Sequence, residues 1–396
     1  MMHLFLNCLA ASSGSGLTYV RNVIPQFSTR PELQVSVALA PKLRTGLPSS
    51  DNISFLEMDL PSNAAARFCW EQSQLPRMIQ KSGADVLISA GNFALWRAPV
   101  PQILLSGNSL YTSADFRRDL RARGAYRIWL DTLVRGFFAR RSVRWADCTV
   151  APSNAFANTL QRWTGSKVVG LHHGFNPEVF FREGARLPSA IQEKINSGKK
   201  PLRLIFVSHY NYYRNFETLL RALPYIQERL GGRHVQLLLT CKLSDEEDSG
   251  LYRTDAAAGL IKHLEISDQV VELGSVPYHL LQHVLRACDI YVSPAYAETF
   301  AHPLVEAMAC GLPVVASDLP VHREICGDAA VYFPRFSPQV LADRVVQLEK
   351  SFALRKKLSE RALERSHGFS WRAHVDQVIA LAHSLKLADL AYPHAA

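Results

Sequence analysis

The feature that most constrains this chain is an alternation. Short apolar blocks are followed by longer stretches of helical periodicity, and the series runs twice. In the first half the blocks are His3–Leu9, Gln34–Ala40, Ile53–Met58, Asp85–Ala90, Gln102–Leu105, Asp147–Ala151 and Lys167–His172. In the second half they are Leu202–Ser208, Val235–Thr240, Val270–Leu273, Asp289–Ser293, Pro313–Ala316 and Ala330–Phe333. Several are apolar without interruption, as parallel strands buried on both faces must be. Helical patterns lie between them, at Leu17–Gln26, Asp115–Arg144, Asn154–Trp163, Phe216–Leu230, Tyr278–Ala287, Pro303–Cys310 and Pro338–Ser366, with Trp371–Leu387 at the end. The two series meet at Arg182–Lys200, a polar stretch without an apolar face. The expected fold is α/β: two Rossmann-like, doubly wound domains facing each other across a cleft. The length of 396 residues suits two domains. The expected divisions are 1–181, a connection at 182–200, 201–370, and a helix and tail at 371–396 that packs back on the first domain.

The formal charge of +9 is concentrated. Arg117, Arg118, Arg121, Arg123, Arg127, Arg135, Arg140, Arg141 and Arg144 fall in one segment whose only acids are Asp119 and Asp131. A uniformly basic nucleic-acid coat is therefore excluded, and no nucleic-acid partner is expected. Tyr126, Leu130, Leu133, Val134 and Phe137 recur at helical spacing in the same segment. They read as a core stripe, with Arg123, Arg127 and Arg135 on another stripe. Such a basic face suits an anionic membrane surface; the plain alternative is an ordinary helix with solvated or paired arginines. Seven cysteines without a C-x-x-C pair read as free thiols in a reducing cytoplasm. No run is long enough to span a bilayer, and the start, MMHLFLNCLAASS, reads as a first strand rather than a leader.

The most informative stretch is Ser293–Asp318, SPAYAETFAHPLVEAMACGLPVVASD. A strand ends, a loop carries Glu298, and a helix begins near His302-Pro303, with Glu306 eight residues after Glu298. Both carboxylates then point to the C-terminal edge of the sheet, where open α/β folds bind ligands. The amides of Phe300, Ala301 and His302 open a helix, a place for a phosphate or a polarised oxygen. Carboxylates there suit a polyhydroxylated ligand, although acids near a helix start also simply favour its dipole.

The run E-T-F-x-x-P-L-V-E-A-M-A-C-G-x-P-V-V-A-S-D resembles the E-x7-E signature of retaining, GT-B-fold glycosyltransferases of family 4. The flanking LGSVPYHLLQHVLRACDIYVSP and PVHREICGDAAVYFPRFSP are similar to the same family's sequences, and the resemblance is specific across Leu202–Pro334. It implies a donor site on the second domain and an acceptor site on the first. Glu306 would hold the donor ribose and Glu298 the sugar hydroxyls. Thr299, Phe300 and Ala301 would face the sugar and diphosphate, with Val276 beside the donor. Ala301 stands where the family usually has glycine, so a β-carbon narrows that approach. FVSHYNYYRNFETLL, Phe206–Leu220, resembles the family's diphosphate clamp. There His209 takes the place of an arginine, Arg214 of a lysine and Asn215 of a glycine. Arg214 stays charged and can bind two phosphate oxygens, whereas His209 would make activity pH-sensitive.

In NCLAASSGSGLTY, Asn7–Tyr19, a strand enters a Gly/Ser loop and then a helix. Ser15 and Gly16 match the family's first glycine loop over the reaction centre. After Gln102–Leu105 many relatives carry a histidine; here Asn108 is the acceptor-side candidate, and S-G-N equally suits a turn. The acidic run Asp245–Asp248 reads as a solvated loop, and His172-His173 as a rim rather than a metal site. The resemblance implies metal-independent chemistry without a cofactor, the nucleotide-sugar being a substrate. The expected protein is a retaining glycosyltransferase moving a sugar from a GDP- or UDP-sugar to a glycan or lipid-linked acceptor, cytoplasmic or peripheral on the inner membrane face. Two alternatives stay open: a catalytically silent partner subunit of the same fold, and a nucleotide-sugar epimerase or phosphorylase.

Overall fold

The computed structural model describes residues 1–11, 14–61, 63–180, 187–196, 201–243 and 252–391. The acidic run Asp245–Asp248 lies outside them, as do the ends of the Arg182–Lys200 stretch. Two compact units form. One comprises the described residues of Met1–Thr112, Leu130–Gly174 and Ser370–Ala396, the other those of Ser113–Trp129 and Phe175–Phe369.

The strands of the first unit are β1 (Met2–Asn7), β2 (Leu33–Leu39), β3 (Ile53–Glu57), β4 (Val86–Ala90), β5 (Gln102–Leu105), β6 (Cys148–Ala151) and β7 (Val168–Gly170). They form one parallel sheet in the order β3-β2-β1-β4-β5-β6-β7. The strands of the second unit are β8 (Leu202–Phe206), β9 (Val235–Leu239), β10 (Val270–Glu272), β11 (Ile290–Ser293), β12 (Val314–Ser317) and β13 (Ala330–Phe333). They pair in parallel as β10-β9-β8-β11-β12-β13. Both orders are doubly wound and reverse direction once, between β1 and β4 and between β8 and β11. In sheets of this kind the loops leaving such a reversal diverge, and ligands bind there at the C-terminal edge. The central strands are mainly apolar because helices cover both faces; β9 is buried at every residue, Gln236 included.

Helix edges follow local chemistry. The helix Ala64–Ser82, without a strong apolar period, starts at Asn63, whose Oδ1 accepts from the Ala65 amide at 2.8 Å, and stops at Gly83 with φ of 68°. The helices Asp255–His263 and Pro320–Cys326 were likewise not legible in the periodicity. The pattern Pro338–Ser366 is two helices, Pro338–Lys350 and Phe352–Ser366, divided at Ser351, which is extended and caps the second through Leu354.

The arginine-rich segment corrects the sequence reading twice. It is two helices, Ala114–Ala122 and Tyr126–Trp145, interrupted where Gly124 takes φ of 67°. The apolar residues of the second helix are not its core stripe. Thr132, Gly136, Ala139, Ser142 and Val143 are buried, whereas Leu130, Val134 and Phe137 are half or more exposed. Small residues let the helix axis approach the unit closely, and this turns the large ones outward. The earlier helix is not a free basic face either. Asp115 pairs with Arg335 at 2.6 Å, Asp119 accepts from Tyr296 at 2.7 Å, and Arg123 bridges Asp119 and Glu217 at 2.7 and 2.9 Å. These contacts place 113–129 in the second unit, so a cut at 182–200 alone does not separate the units.

The final helix, Trp371–Ala391, belongs to the first unit: Trp371, Val375, Val378 and Ala382 join the core around β1 and β2. The chain at Ser370–Trp371 passes so near Gly174 that a β-carbon there would lie 2.0 Å from the Trp371 nitrogen. His173 stacks on the Trp371 ring, 5.1 Å between centroids, within a cluster that includes Tyr19 and His374. Among the described residues every cysteine is a free thiol, and Cys69 is exposed.

Candidate functional site

The site is built from the loops that leave β8 and β11, the two strands at the sheet reversal of the second unit. After β11 the chain runs through Glu298 to Ala301 and enters the helix His302–Ala309. Pro303 in the first helical turn cannot donate, so it suits a helix start. Ala301 stands just before the helix in the left-handed region, φ 67° and ψ 62°, where a β-carbon is strained. A glycine at this place would carry no such strain. Phe300 is buried beneath the loop, edge-on to Phe369 at 5.5 Å and beside the His302 ring at 4.8 Å. Thr299 is half-buried between Glu298 and this anchor.

After β8 the loop makes a 3-10 turn, Tyr212–Arg214, and Asn215 follows with φ of 58°. Asn215 therefore adopts the conformation that a glycine would supply, which asparagine tolerates best among residues with side chains. It also does what glycine cannot. Its amide donates to the Pro294 carbonyl at 2.9 Å and the Arg335 carbonyl at 2.6 Å, and its Oδ1 accepts from Thr218 at 2.8 Å. The β8 loop is thereby tied to the β11 loop. The tie brings Arg214 against Glu298, and the two form a direct ion pair through Nη1 and Oε1. The Glu298 side chain is only 8% exposed and that of Arg214 21%. The guanidinium also lies 4.8 Å from the centre of the Tyr213 ring.

Glu306 lies in the helix His302–Ala309 and is buried. Burial pushes its carboxyl up to about 7, opposed by a hydrogen bond from Tyr278. The Tyr278 ring keeps 43% exposure while its hydroxyl reaches inward to Glu306, and its own ionisation is pushed upward by burial and by that carboxylate. Tyr291, buried on β11, brings its hydroxyl to the Val207 backbone close to both Arg214 and Glu306. His322 is buried nearby, with Nδ1 at 2.8 Å from the Ser317 carbonyl; burial lowers it to about 4 and Arg214 adds to the effect, so it is neutral. Its Nε2 has no partner among the described residues. Asn215, Tyr278 and His322 were not singled out as site residues by their sequence context. The one available signal was asparagine directly after Arg214 at a turn.

The remaining candidates are placed as follows. Val276 is half-buried in the loop after β10 that leads to Tyr278. His209 is exposed, and its side chain has no hydrogen-bond or ion-pair partner among the described residues. It does not join the Arg214–Glu298 pair. In the first unit, Ser15 and Gly16 belong to the first turn of the helix Gly14–Ser28, which begins earlier than the expected Leu17. A β-carbon on Gly16 would meet the Ala11 Cα at 3.1 Å, so glycine lets the helix start close beside the end of β1. Asn108 caps the 3-10 turn Ser109–Tyr111, its Oδ1 accepting from Leu110 at 3.0 Å. No cluster of three metal-ligating side chains occurs among the described residues.

Chemically, the second unit presents one cation and two poorly solvated carboxylates at the edge of a parallel sheet. Arg214 can take up phosphate oxygens, and Glu298 and Glu306 can accept from hydroxyl groups. Comparison with known proteins agrees with that reading of the fold. Residues 189–365 match the family described as Glycosyl transferases group 1. A phosphatidyl-myo-inositol mannosyltransferase of Mycobacterium leprae is 32% identical over 233 residues, 57% of this chain and 57% of that protein. The chain thus spans little more than half the length of that curated relative. Sucrose-phosphate synthase of Thermosynechococcus elongatus superposes with a TM-score of 0.76 at 16% identity, over 98% of this chain and 100% of the other. HepE of Anabaena, solved with UDP-glucose, gives 0.69 at 16% identity over 97% and 100%. Residues 189–365 are thus similar to the glycosyl transferases group 1 family, and the chain's two parallel α/β sheets are those of the GT-B fold.

Proposed function

We propose that this protein is a retaining glycosyltransferase that moves a hexose from a UDP- or GDP-sugar to a glycan or lipid-linked acceptor. The observation that carries the reading is the contact between Arg214 and Glu298, with Glu306 buried one helical segment away. Arg214 and Glu298 neutralise each other without a ligand. A donor replaces that contact with two better-matched ones: its diphosphate takes the guanidinium, and its sugar hydroxyls take the carboxylate. Glu306, held by Tyr278, accepts from the ribose hydroxyls. Thr299, Phe300, Ala301 and Val276 shape the sugar and nucleoside contacts. The mannosyltransferase relative and the UDP-glucose complex of HepE support a nucleotide-sugar donor.

In the reaction an acceptor hydroxyl oxygen attacks the anomeric carbon on the face that the diphosphate leaves. The bond from that carbon to the phosphate oxygen breaks, and its electron pair departs with the nucleoside diphosphate. The acceptor proton passes to a phosphate oxygen. Charge accumulates on the leaving group, so a fixed guanidinium stabilises the transition state more than the ground state. No step calls for a metal. Asn108 serves the acceptor side, and Ser15 and Gly16 form the glycine loop of the same unit.

A thermal-shift screen of UDP, GDP, ADP and their sugars tests the reading and identifies the base. One nucleotide series is expected to raise the melting temperature, and Glu306→Ala is expected to abolish that shift. No shift with any nucleotide, or an unchanged shift in Glu306→Ala, overturns the site.

A further inference from the structure

The helix Tyr126–Trp145 is inverted with respect to ordinary burial. On its stretch in the first unit, Leu130 is 58% exposed, Val134 50% and Phe137 54%, with Leu133 alongside. Arg140 and Arg141 are exposed on the same side, and the Arg141 guanidinium sits 4.8 Å from the centre of the Phe137 ring. The acid of this helix, Asp131, is paired with Arg135 at 2.8 Å. At its C-terminal end the Trp145 ring lies 6.3 Å from that of Trp96, which is 63% exposed. Leaving this much apolar surface in water costs free energy and invites association. The choice of occupant follows from the charge. A second copy would bring arginine against arginine, which repels. A lipid boundary offers both complements at once: acyl chains for the ridge of leucine, valine and phenylalanine, and anionic headgroups for arginines that extend from it. Tryptophan at one end suits the headgroup level.

We infer that the outer face of the helix from Leu130 to Trp145 docks this protein on an anionic lipid surface, lying in the plane of the interface with its apolar side chains inserted. The inference stands apart from the donor site. No helix among the described residues is long and apolar enough to cross a membrane, so the contact is peripheral to the bilayer for this part of the chain.

Vesicle flotation of the full chain tests it, with phosphatidylcholine alone and with phosphatidylcholine mixed with phosphatidylglycerol. Wild type is expected to float with the mixed vesicles. Leu133→Glu with Phe137→Glu is expected to reduce binding at least about tenfold, with an unchanged melting temperature because both side chains face solvent. Arg140→Ala with Arg141→Ala is expected to reduce binding to mixed vesicles roughly tenfold and leave neutral vesicles unaffected. Wild type that stays unbound with mixed vesicles overturns the inference. So does an apolar double variant that floats like wild type, or a dimer in sedimentation that this variant dissociates, which would assign the face to a second copy. The nucleotide thermal shift is read separately on the same proteins, so failure of either proposal leaves the other standing.

Discussion

At the scale of single residues, the site is governed by two departures from ordinary side-chain behaviour. Glu306 is held near neutrality by burial, up to about 7. A carboxyl raised in the folded state is tolerated below its unfolded value near 4.5 and costs stability as pH rises through about 7. Glu306→Gln is therefore expected to raise the melting temperature at pH 8 and to change it little at pH 4, which parallel melts would check. On the proposed function donor binding runs the other way, since the ionised form accepts hydroxyl hydrogen bonds. Nucleotide affinity is expected to weaken roughly tenfold from pH 8 to pH 6, with the slope lost in Glu306→Gln, as titration calorimetry would measure. Ala301 is the second departure. Its φ of 67° favours glycine, and Ala301→Gly is expected to stabilise the protein by about 0.5 kcal/mol, the relief of strain exceeding the added chain entropy. A lower melting temperature in that variant would contradict the account.

At the scale of elements, one helix is mounted by its small residues and another is mounted by charge. In Tyr126–Trp145 the buried face is Thr132, Gly136, Ala139 and Ser142. Ala139→Leu is thus expected to cost about 1–3 kcal/mol, and Leu133→Ser to stay within about 0.5 kcal/mol. Denaturant melts that reversed this order would return the leucine stripe to the core. The preceding helix is held by Arg123, which joins Asp119 to Glu217 and lies 4.3 Å from the centre of the Tyr212 ring. Its side chain is 22% exposed, so Arg123→Ala leaves two poorly solvated carboxylates together, at an expected cost of about 2 kcal/mol. A double-mutant cycle with Glu217→Gln is expected to recover part of that loss.

At the scale of the molecule, chain order and compact units do not coincide. The last helix completes the first unit, and Trp371, Val375 and Val378 pack on the core around β1 and β2. A chain ending at Phe369 would open that core. Hydrogen exchange is expected to rise first in β1, β2 and β4, ahead of the second unit; uniform loss of protection would count against this. Gly174→Ala is expected to act on the same seam, because its β-carbon has no room beside Trp371. The buried, neutral histidines His322 and His374 are each lowered to about 4 by burial. Their contribution is present above about 6.5 and is lost as pH falls toward 4, opposite in sign to Glu306.

The thirteen strands among the described residues, the two sheets and the loop-to-helix stretch from Glu298 to Glu306 were legible in the sequence because each rests on local pattern. Apolar blocks of strand length, a proline at a helix start and a glycine at its end act over a few residues. What the pattern left open is settled by neighbours distant in sequence. Periodicity shows that Tyr126–Trp145 has an apolar stripe and a small-residue stripe. Which stripe faces inward is decided by how closely the helix can approach its unit. The cation at Arg214 was visible, but its pairing with Glu298 requires Asn215 to tie loops that lie about eighty residues apart in sequence. The glutamate at 306 was visible, but its neutral tendency comes from the walls that bury it, against the hydrogen bond from Tyr278. Sequence alone determined the strands and most of the helices; only the tertiary structure decided which groups meet, which are dry and which face outward. Those outcomes depend on desolvation and close packing between segments that no local pattern brings together.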